Sequence, residues 1–300
     1  MTQASPRSVE QYLDSLRAAL AGADPALLQD ALYDAEEHLR AELSQSGGDN
    51  EAAVLERITS SYGAPEEVAE AYRENEVRVQ AALRTPTPAP RQSAIGRFFG
   101  VYGDSRAYLS LLYLLVSLVT GVFYFTFAVT GASLSIGLAV LIIGIPFFLL
   151  FIGAARVLAL AEGRLVESML GTRMPRRPPY PDRHMPLLAR ILEMLKDSRT
   201  WGTLLYFFLM LPLGIFYFVF AFVGVIVCVV TILAPLFVLG YHLGLVEIDG
   251  VVNSPHPALL PLVSILGVLL LTVTMHLARG IGYLHGQLAK SLLVRRPGPD

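Results

Sequence analysis

Cysteine occurs once in these 300 residues, tryptophan once, and charged side chains make up only 16% of the chain. A lone Cys228 excludes an intramolecular disulfide and any metal cluster built on cysteines. Set inside an apolar run, it reads as a small buried hydrophobe. A typical globular chain is about 25% charged, and the shortfall here is concentrated in three places. No Asp, Glu, Lys or Arg occurs in the 49 residues between Arg106 and Arg156, in the 47 between Arg199 and Glu247, or from Gly250 to Ala278. One crossing of the hydrocarbon layer takes roughly 20 apolar residues. A 49-residue run is therefore too long for one crossing and suits two, so a polytopic membrane protein is expected. A cleavable signal is also missing: residues 1–84 hold no apolar h-region, and the first membrane helix is expected to serve as the insertion signal. No nucleophile–base pair, phosphate loop or zinc motif is visible, which ranks enzymes last among the function classes and implies no cofactor.

What the chain does have is a duplication. "DSRAYLSLLYLLVSLVTGVFYFTFA" from Asp104 and "DSRTWGTLLYFFLMLPLGIFYFVFA" from Asp197 share 13 of 25 positions without a gap. The second half of the unit is repeated too, because "ARVLALAEGRLVESMLG" aligns with "ARGIGYLHGQLAKSLLV". That register equates Arg156 with Arg279, Gly163 with Gly286, Leu165 with Leu288 and Ser168 with Ser291. The expected fold is all-α: a small helical bundle followed by a four-helix membrane domain, residues 104–300, built from two parallel two-helix repeats. The spans are expected at about 107–130, 134–157, 203–232 and 258–280, with a tight turn at 131–133. The second copy carries about 30 extra residues between its helices. There Pro235 makes 224–246 either a bent continuation of the third helix or a re-entrant segment. Asp104 and Asp197 suit helix N-caps, Arg106 and Arg199 can reach lipid phosphate, and Gly121 and Gly214 fall mid-helix where small residues permit close packing. Basic residues crowd 156–199 and 279–296. By the positive-inside rule both segments, and both termini, belong in the cytosol, and the expected location is the bacterial cytoplasmic membrane.

Residues 1–84 carry 16 acidic and 7 basic side chains, whereas 85–300 carry 9 and 16. An acidic domain thus precedes a basic one, with 85–103 as a Pro-rich linker. Four helices are legible in the acidic part. Ser8 caps the first, Pro25 opens the second and "GG" at 47–48 ends it, Asn50 caps the third, and Pro65 starts the fourth, followed by Glu66 and Glu67 at its positive end.

The elements "YLDSLRAAL", "LYDAEEHLRAEL" and "YGAPEEVAEAYR", in that order over about 8–78, resemble the HAAS signalling domain. That resemblance implies a helical cytosolic module without catalytic activity, attached to membrane sensors and often associated with PadR-type transcription regulators. The segments "GVFYFTFAVTGASLSIGLAVLIIGIPFFLLFIGAARVLALAEGRL" and "DSRTWGTLLYFFLMLPLGIFYFVFA", within about 100–294, resemble the sensor domain of actinobacterial sensor histidine kinases. Neither a phosphoacceptor box nor an ATP-binding domain follows in these 300 residues, so kinase activity is not expected.

Several residues are candidates for a site. His242, Glu247, Asp249 and His256 are the ionisable groups expected on the outer side, and His beside carboxylate can sense a metal or pH. Their spacing fits no ligand pattern, and an ordinary solvated loop is the simpler reading. Asp34, Glu36, Glu37, Glu66 and Glu67 form an acidic surface suited to docking a basic partner; a metal site with His38 ranks well below that. The arginine-rich 156–199 segment could bind anionic lipid or dock this acidic domain. Nucleic acid is a poor partner for the acidic domain. The leading function is a non-enzymatic membrane sensor whose helical domain relays to a cytosolic protein, for which the resemblance suggests a PadR-like regulator. The alternative is a small transporter or lipid-binding protein, against which stands the lack of Asp, Glu or Lys in any expected span. An anchor acting as a homo-oligomer is a third reading.

Overall fold

The structure is a computed structural model and describes residues 6–46, 51–83, 93–140, 143–177, 195–243 and 259–294. Among these the chain is helical and no strand occurs. Helices α1 (Val9–Ala19), α2 (Pro25–Gln45), α3 (Glu51–Tyr62) and α4 (Pro65–Leu83) form the N-terminal bundle. α1, α2 and α4 each open on a local signal. The Ser8 hydroxyl accepts from the Gln11 N–H at 3.2 Å, Asp24 Oδ1 from the Ala26 N–H at 2.9 Å, and Glu67 Oε2 from the Ala64 N–H at 3.1 Å. Such caps satisfy donors that the helix leaves free. Gly47, Gly48 and Asn50, expected to end α2 and cap α3, lie outside the described residues. The apolar stripes meet in one core of Val9, Tyr12, Leu16, Leu27, Leu39, Leu55 and Ile58 with their neighbours. α1 packs on α2 and α4, and α2 on α3 and α4.

Helix α5 (Ala94–Phe99) and a 3₁₀ turn (Gly100–Gly103) occupy the second half of the stretch expected as linker. The Ser93 hydroxyl accepts from the Gly96 N–H and starts that helix. Four long helices follow: α6 (Ser105–Gly137), α7 (Gly144–Leu170), α8 (Ser198–His242) and α9 (Leu260–Leu293). All four are long and apolar enough to cross a membrane.

The ends of these helices differ from the sequence expectation. α6 does not turn at 131–133 but runs to Gly137. Gly131 serves packing instead, since a Cβ there would collide with the Phe151 ring, and the Ser135 hydroxyl donates back to the Gly131 carbonyl at 2.7 Å. α8 continues through Pro212 and Pro235 as one 45-residue helix, so the segment after Pro235 extends the third long helix as far as His242 and is not re-entrant. A proline removes one backbone donor, whereas breaking the helix in an apolar stretch would strand several. At 1.5 Å per residue α8 is about 68 Å long, over twice the hydrocarbon thickness. α7 and α9 outrun 157 and 280, which puts Glu162, Glu167 and His285 on the same apolar helices. The expectation that no Asp, Glu or Lys lies in a span was made for spans ending at 157 and 280, and Glu162, Glu167 and Lys290 lie on the helices beyond those ends.

Two compact units divide the chain. One comprises 1–84, 130–206 and 286–300, the other 85–129 and 207–285. In the second, α6 and α8 cross at matching glycines: a Cβ on Gly121 would run into the Met210 carbonyl, and one on Gly214 into the Ser117 carbonyl. Positions 121 and 214 are equivalent in the duplication, and so are 117 and 210; the crossing repeats itself. In the same unit Asp104 caps α6 through the Arg106 N–H at 2.9 Å, and its other oxygen pairs with Arg279 at 2.7 Å. Tyr113 shares a 2.6 Å hydrogen bond with His285, whose other ring nitrogen lies 3.3 Å from the Tyr217 hydroxyl. His276 bonds the Phe98 carbonyl at 2.9 Å.

The first unit holds the counterparts. Asp197 caps α8 through the Arg199 N–H at 3.0 Å and pairs with Arg156 at 3.4 Å. The Tyr206 hydroxyl donates to Glu162 at 2.8 Å. Since Tyr206 is equivalent to Tyr113 and Glu162 to His285, the first helix of each copy binds the second helix of the other copy through the same two positions.

Candidate relay interface

Gly171 ends α7 with φ 74°, a left-handed backbone that other residues adopt at a cost, and its N–H closes on the Glu167 carbonyl at 3.1 Å. The chain leaves the helix there as a non-helical strip over 171–177 that runs against α2 and α4. Arg173, 8% exposed, bridges the two sides: its Nη2 lies 3.0 Å from Asp30 Oδ2, its Nε 3.2 Å from Glu76 Oε2 and its Nη1 3.7 Å from Glu167 Oε1. The same guanidinium donates to the Met174 carbonyl. Asp30 Oδ1 accepts two consecutive backbone N–H groups, from Arg176 at 2.7 Å and Arg177 at 2.8 Å. Arg176 pairs with Glu167 at 3.1 Å. Arg177 pairs with Asp34 at 3.0 Å and stands over the Tyr33 ring at 5.6 Å. The Tyr72 hydroxyl donates to the other Asp34 oxygen, Oδ2, at 2.9 Å.

Further contacts tie the same bundle edge to the other long helices. Gln29 donates to the Arg177 carbonyl at 2.5 Å and accepts from Arg199, at the start of α8, at 3.1 Å. Lys290 near the end of α9 pairs with Asp24 at 2.5 Å. The bundle therefore contacts the ends of three long helices through its α2 face.

Electrostatics follows burial. Desolvation raises the Asp30 carboxyl above its ordinary value, although the N–H groups of Arg176 and Arg177 and the Arg173 charge pull it back. For Arg173 burial works to lower the guanidinium, but Glu76, Asp30 and Glu167 outweigh it and hold it above the usual arginine value. Burial, then the bond to Asp34, raises the Tyr72 hydroxyl. Four carboxylates thus meet three guanidinium groups, and Glu167 Oε2 is buried without a hydrogen-bond partner. A buried ionic contact of this kind specifies geometry more than it adds stability, because desolvation offsets the attraction.

Of the acidic residues singled out in the sequence, Asp34 lies in this interface. Glu36 pairs with Arg40 at 3.0 Å, Glu37 and Glu66 are exposed, and Glu67 caps α4. His38 stacks on Tyr62 at 4.5 Å, and among the described residues no group of three His, Cys, Asp or Glu could hold a metal ion. His242 is the last residue of α8, while Glu247, Asp249 and His256 lie outside the described residues. The sequence reading missed Asp30 and Glu76. Their signal was present: Asp30 sits beside Ala26, Leu27 and Ala31 on the buried stripe of α2, and Glu76 follows Val68 and Tyr72 at four-residue steps along α4. A carboxylate on an apolar stripe needs a buried partner.

Residues 113–293 match the family described as "Putative sensor", and residues 11–71 match the HAAS family. No curated protein and no solved structure matches significantly.

Proposed function

With the chain belonging to the sensor family and preceded in sequence by a HAAS domain, we propose that it is a non-enzymatic relay in the bacterial cytoplasmic membrane, which passes a signal received by the long helices to a cytosolic protein partner. At the coarser level it is a membrane sensor and signalling protein. One observation carries the finer reading: Arg173, on the non-helical strip just past the end of α7 at Leu170, is clamped between Asp30 of α2 and Glu76 of α4. A shift of α7 along or about its axis moves that guanidinium against two buried carboxylates, so the bundle must follow or let go. Packed ionic contacts switch between discrete arrangements and do not deform smoothly. A PadR-like transcription regulator is the partner that the domain order suggests.

The test is cross-linking in the native host. The full-length chain carries a photoreactive residue at exposed Glu37 or Glu66, and its adducts are identified by mass spectrometry. Recovery of a DNA-binding regulator from both positions supports the relay. If neither position yields a cytosolic protein, the relay is wrong and the membrane helices are the functional unit.

A further inference from the structure

The Arg173–Arg177 strip contacts the bundle as a bound peptide would. Its backbone bends at 176–177 and donates two successive N–H groups to one Asp30 oxygen, an interaction that does not depend on side-chain identity, while its side chains supply the specificity. A single guanidinium fork spans Asp30 and Glu76, and a second reaches Asp34. We propose that the face formed by Asp30, Asp34 and Glu76 is a recognition site for an arginine-bearing segment of a cytosolic partner protein, and that Arg173-Met-Pro-Arg-Arg177 occupies it in cis as an autoinhibitory pseudo-ligand. The role of the partner rests on the relay function; the cis occupancy does not.

Three features make this occupant replaceable. First, seating the strip draws in the end of α7 and with it Glu167, a fourth carboxylate that shares Arg173 with Asp30 and Glu76, and one of its oxygens is buried with no hydrogen-bond partner. A partner segment without an acid there avoids that like charge and the unmet acceptor. Second, a cavity of about 170 Å³ remains between the strip and α4, lined by Asp34, Tyr72, Asn75, Glu76 and the arginines. The seated strip leaves room at its own site. Third, the strip hangs from Gly171, whose left-handed backbone swings the chain off α7. A short tether of this sort holds its ligand at an effective concentration in the millimolar range. Only a partner richer in well-placed arginines, or a movement of α7, displaces it. Lysine would not replace Arg173, because an ammonium is a point charge and the two carboxylates are bridged by a fork.

The test uses the full-length protein in lipid nanodiscs and a fluorescent peptide of residues 171–177, Gly-Thr-Arg-Met-Pro-Arg-Arg, read by anisotropy. In the wild type the site is filled, and the peptide is expected to bind weakly. R173Q combined with R177Q empties it, so peptide affinity is expected to rise at least about tenfold, consistent with removal of a tethered competitor. D30N in the same background is expected to abolish that gain. Equal binding by wild type and the emptied variant overturns the proposal, and so does no binding by either. A gain that survives D30N places the peptide elsewhere and overturns it as well. R177Q alone, at a half-exposed arginine, repeats the comparison where the double variant fails to purify folded. The relay stands or falls by partner cross-linking instead: peptide exchange without a cross-linked partner rejects the relay alone, and a partner without peptide exchange rejects this inference alone.

Discussion

Arg173 is the residue on which the bundle contact turns. It is nearly buried and is shared by Asp30, Glu76 and Glu167. Replacing it with Met keeps the stem but leaves those carboxylates without their common cation. Truncating one partner of a buried ionic cluster costs about 3–5 kcal/mol. Arg173→Met is therefore expected to detach the 171–177 strip before it unfolds the bundle core. Hydrogen exchange checks this: the Arg176 and Arg177 amides, which donate to Asp30, should lose protection while α1 and α2 amides keep theirs. Asp30 itself gives a pH signature. Burial raises its folded-state pKa above the ordinary aspartate value. Its titration thus contributes stability that is fully present below the ordinary aspartate pKa and is lost as pH rises through the folded value. The melting temperature of the wild type relative to Asp30→Asn should accordingly be most favourable at acidic pH and decline toward neutrality. A difference independent of pH would contradict the burial argument.

Among the elements, the α6–α8 crossing is set by glycines that leave no room for a methyl group. A Cβ at 121 or 214 meets a backbone carbonyl of the facing helix, which cannot rotate away as a side chain can. Gly121→Ala and Gly214→Ala are each expected to cost about 1–3 kcal/mol, with the double variant well short of additive because one separation relieves both clashes. Thermal unfolding in detergent measures it. The crosswise ion pairs predict a smaller effect. Asp104 caps α6 and also meets Arg279, which is half-exposed, so the cap dominates. Asp104→Ala should cost about 1 kcal/mol and Arg279→Gln less than about 1 kcal/mol, as exposed pairs do. Equal losses from the two variants would mean that the pair, and not the cap, carries the contact.

Sidedness belongs to the whole molecule. Arginine and lysine gather after α7 and toward the end of α9; we propose that both segments, and the N-terminal bundle with them, face the cytosol. In a Cys228→Ser background, a cysteine at exposed Ser44 should resist a membrane-impermeant maleimide in intact cells, while one at Ser254 should react. The reverse pattern would invert the topology and remove the relay. Much of this scale was legible in the sequence, since charge-free runs and duplicated segments are linear properties of the chain. The ends of the helices were less so: Gly131 and Pro235 look like breaks by residue type, but the first accommodates the Phe151 ring and the second lies inside a continuous helix.

By itself, the sequence determined the all-α class, the apolar helices, the duplication and the residues that start each copy, because periodicity, charge and capping act over a few neighbouring residues. It also established that Asp104 and Asp197, Tyr113 and Tyr206, and Gly121 and Gly214 are equivalent. Only the tertiary structure decided which copy each of them meets. Alignment equates positions without pairing them, and the crosswise bonds of Tyr113 to His285 and of Tyr206 to Glu162 join residues 172 and 44 positions apart. The same holds for Arg173, one of nine basic residues between 156 and 199. Nothing local distinguishes it from the others until folding places the buried carboxylates of Asp30 and Glu76 within 3.0 and 3.2 Å of its guanidinium.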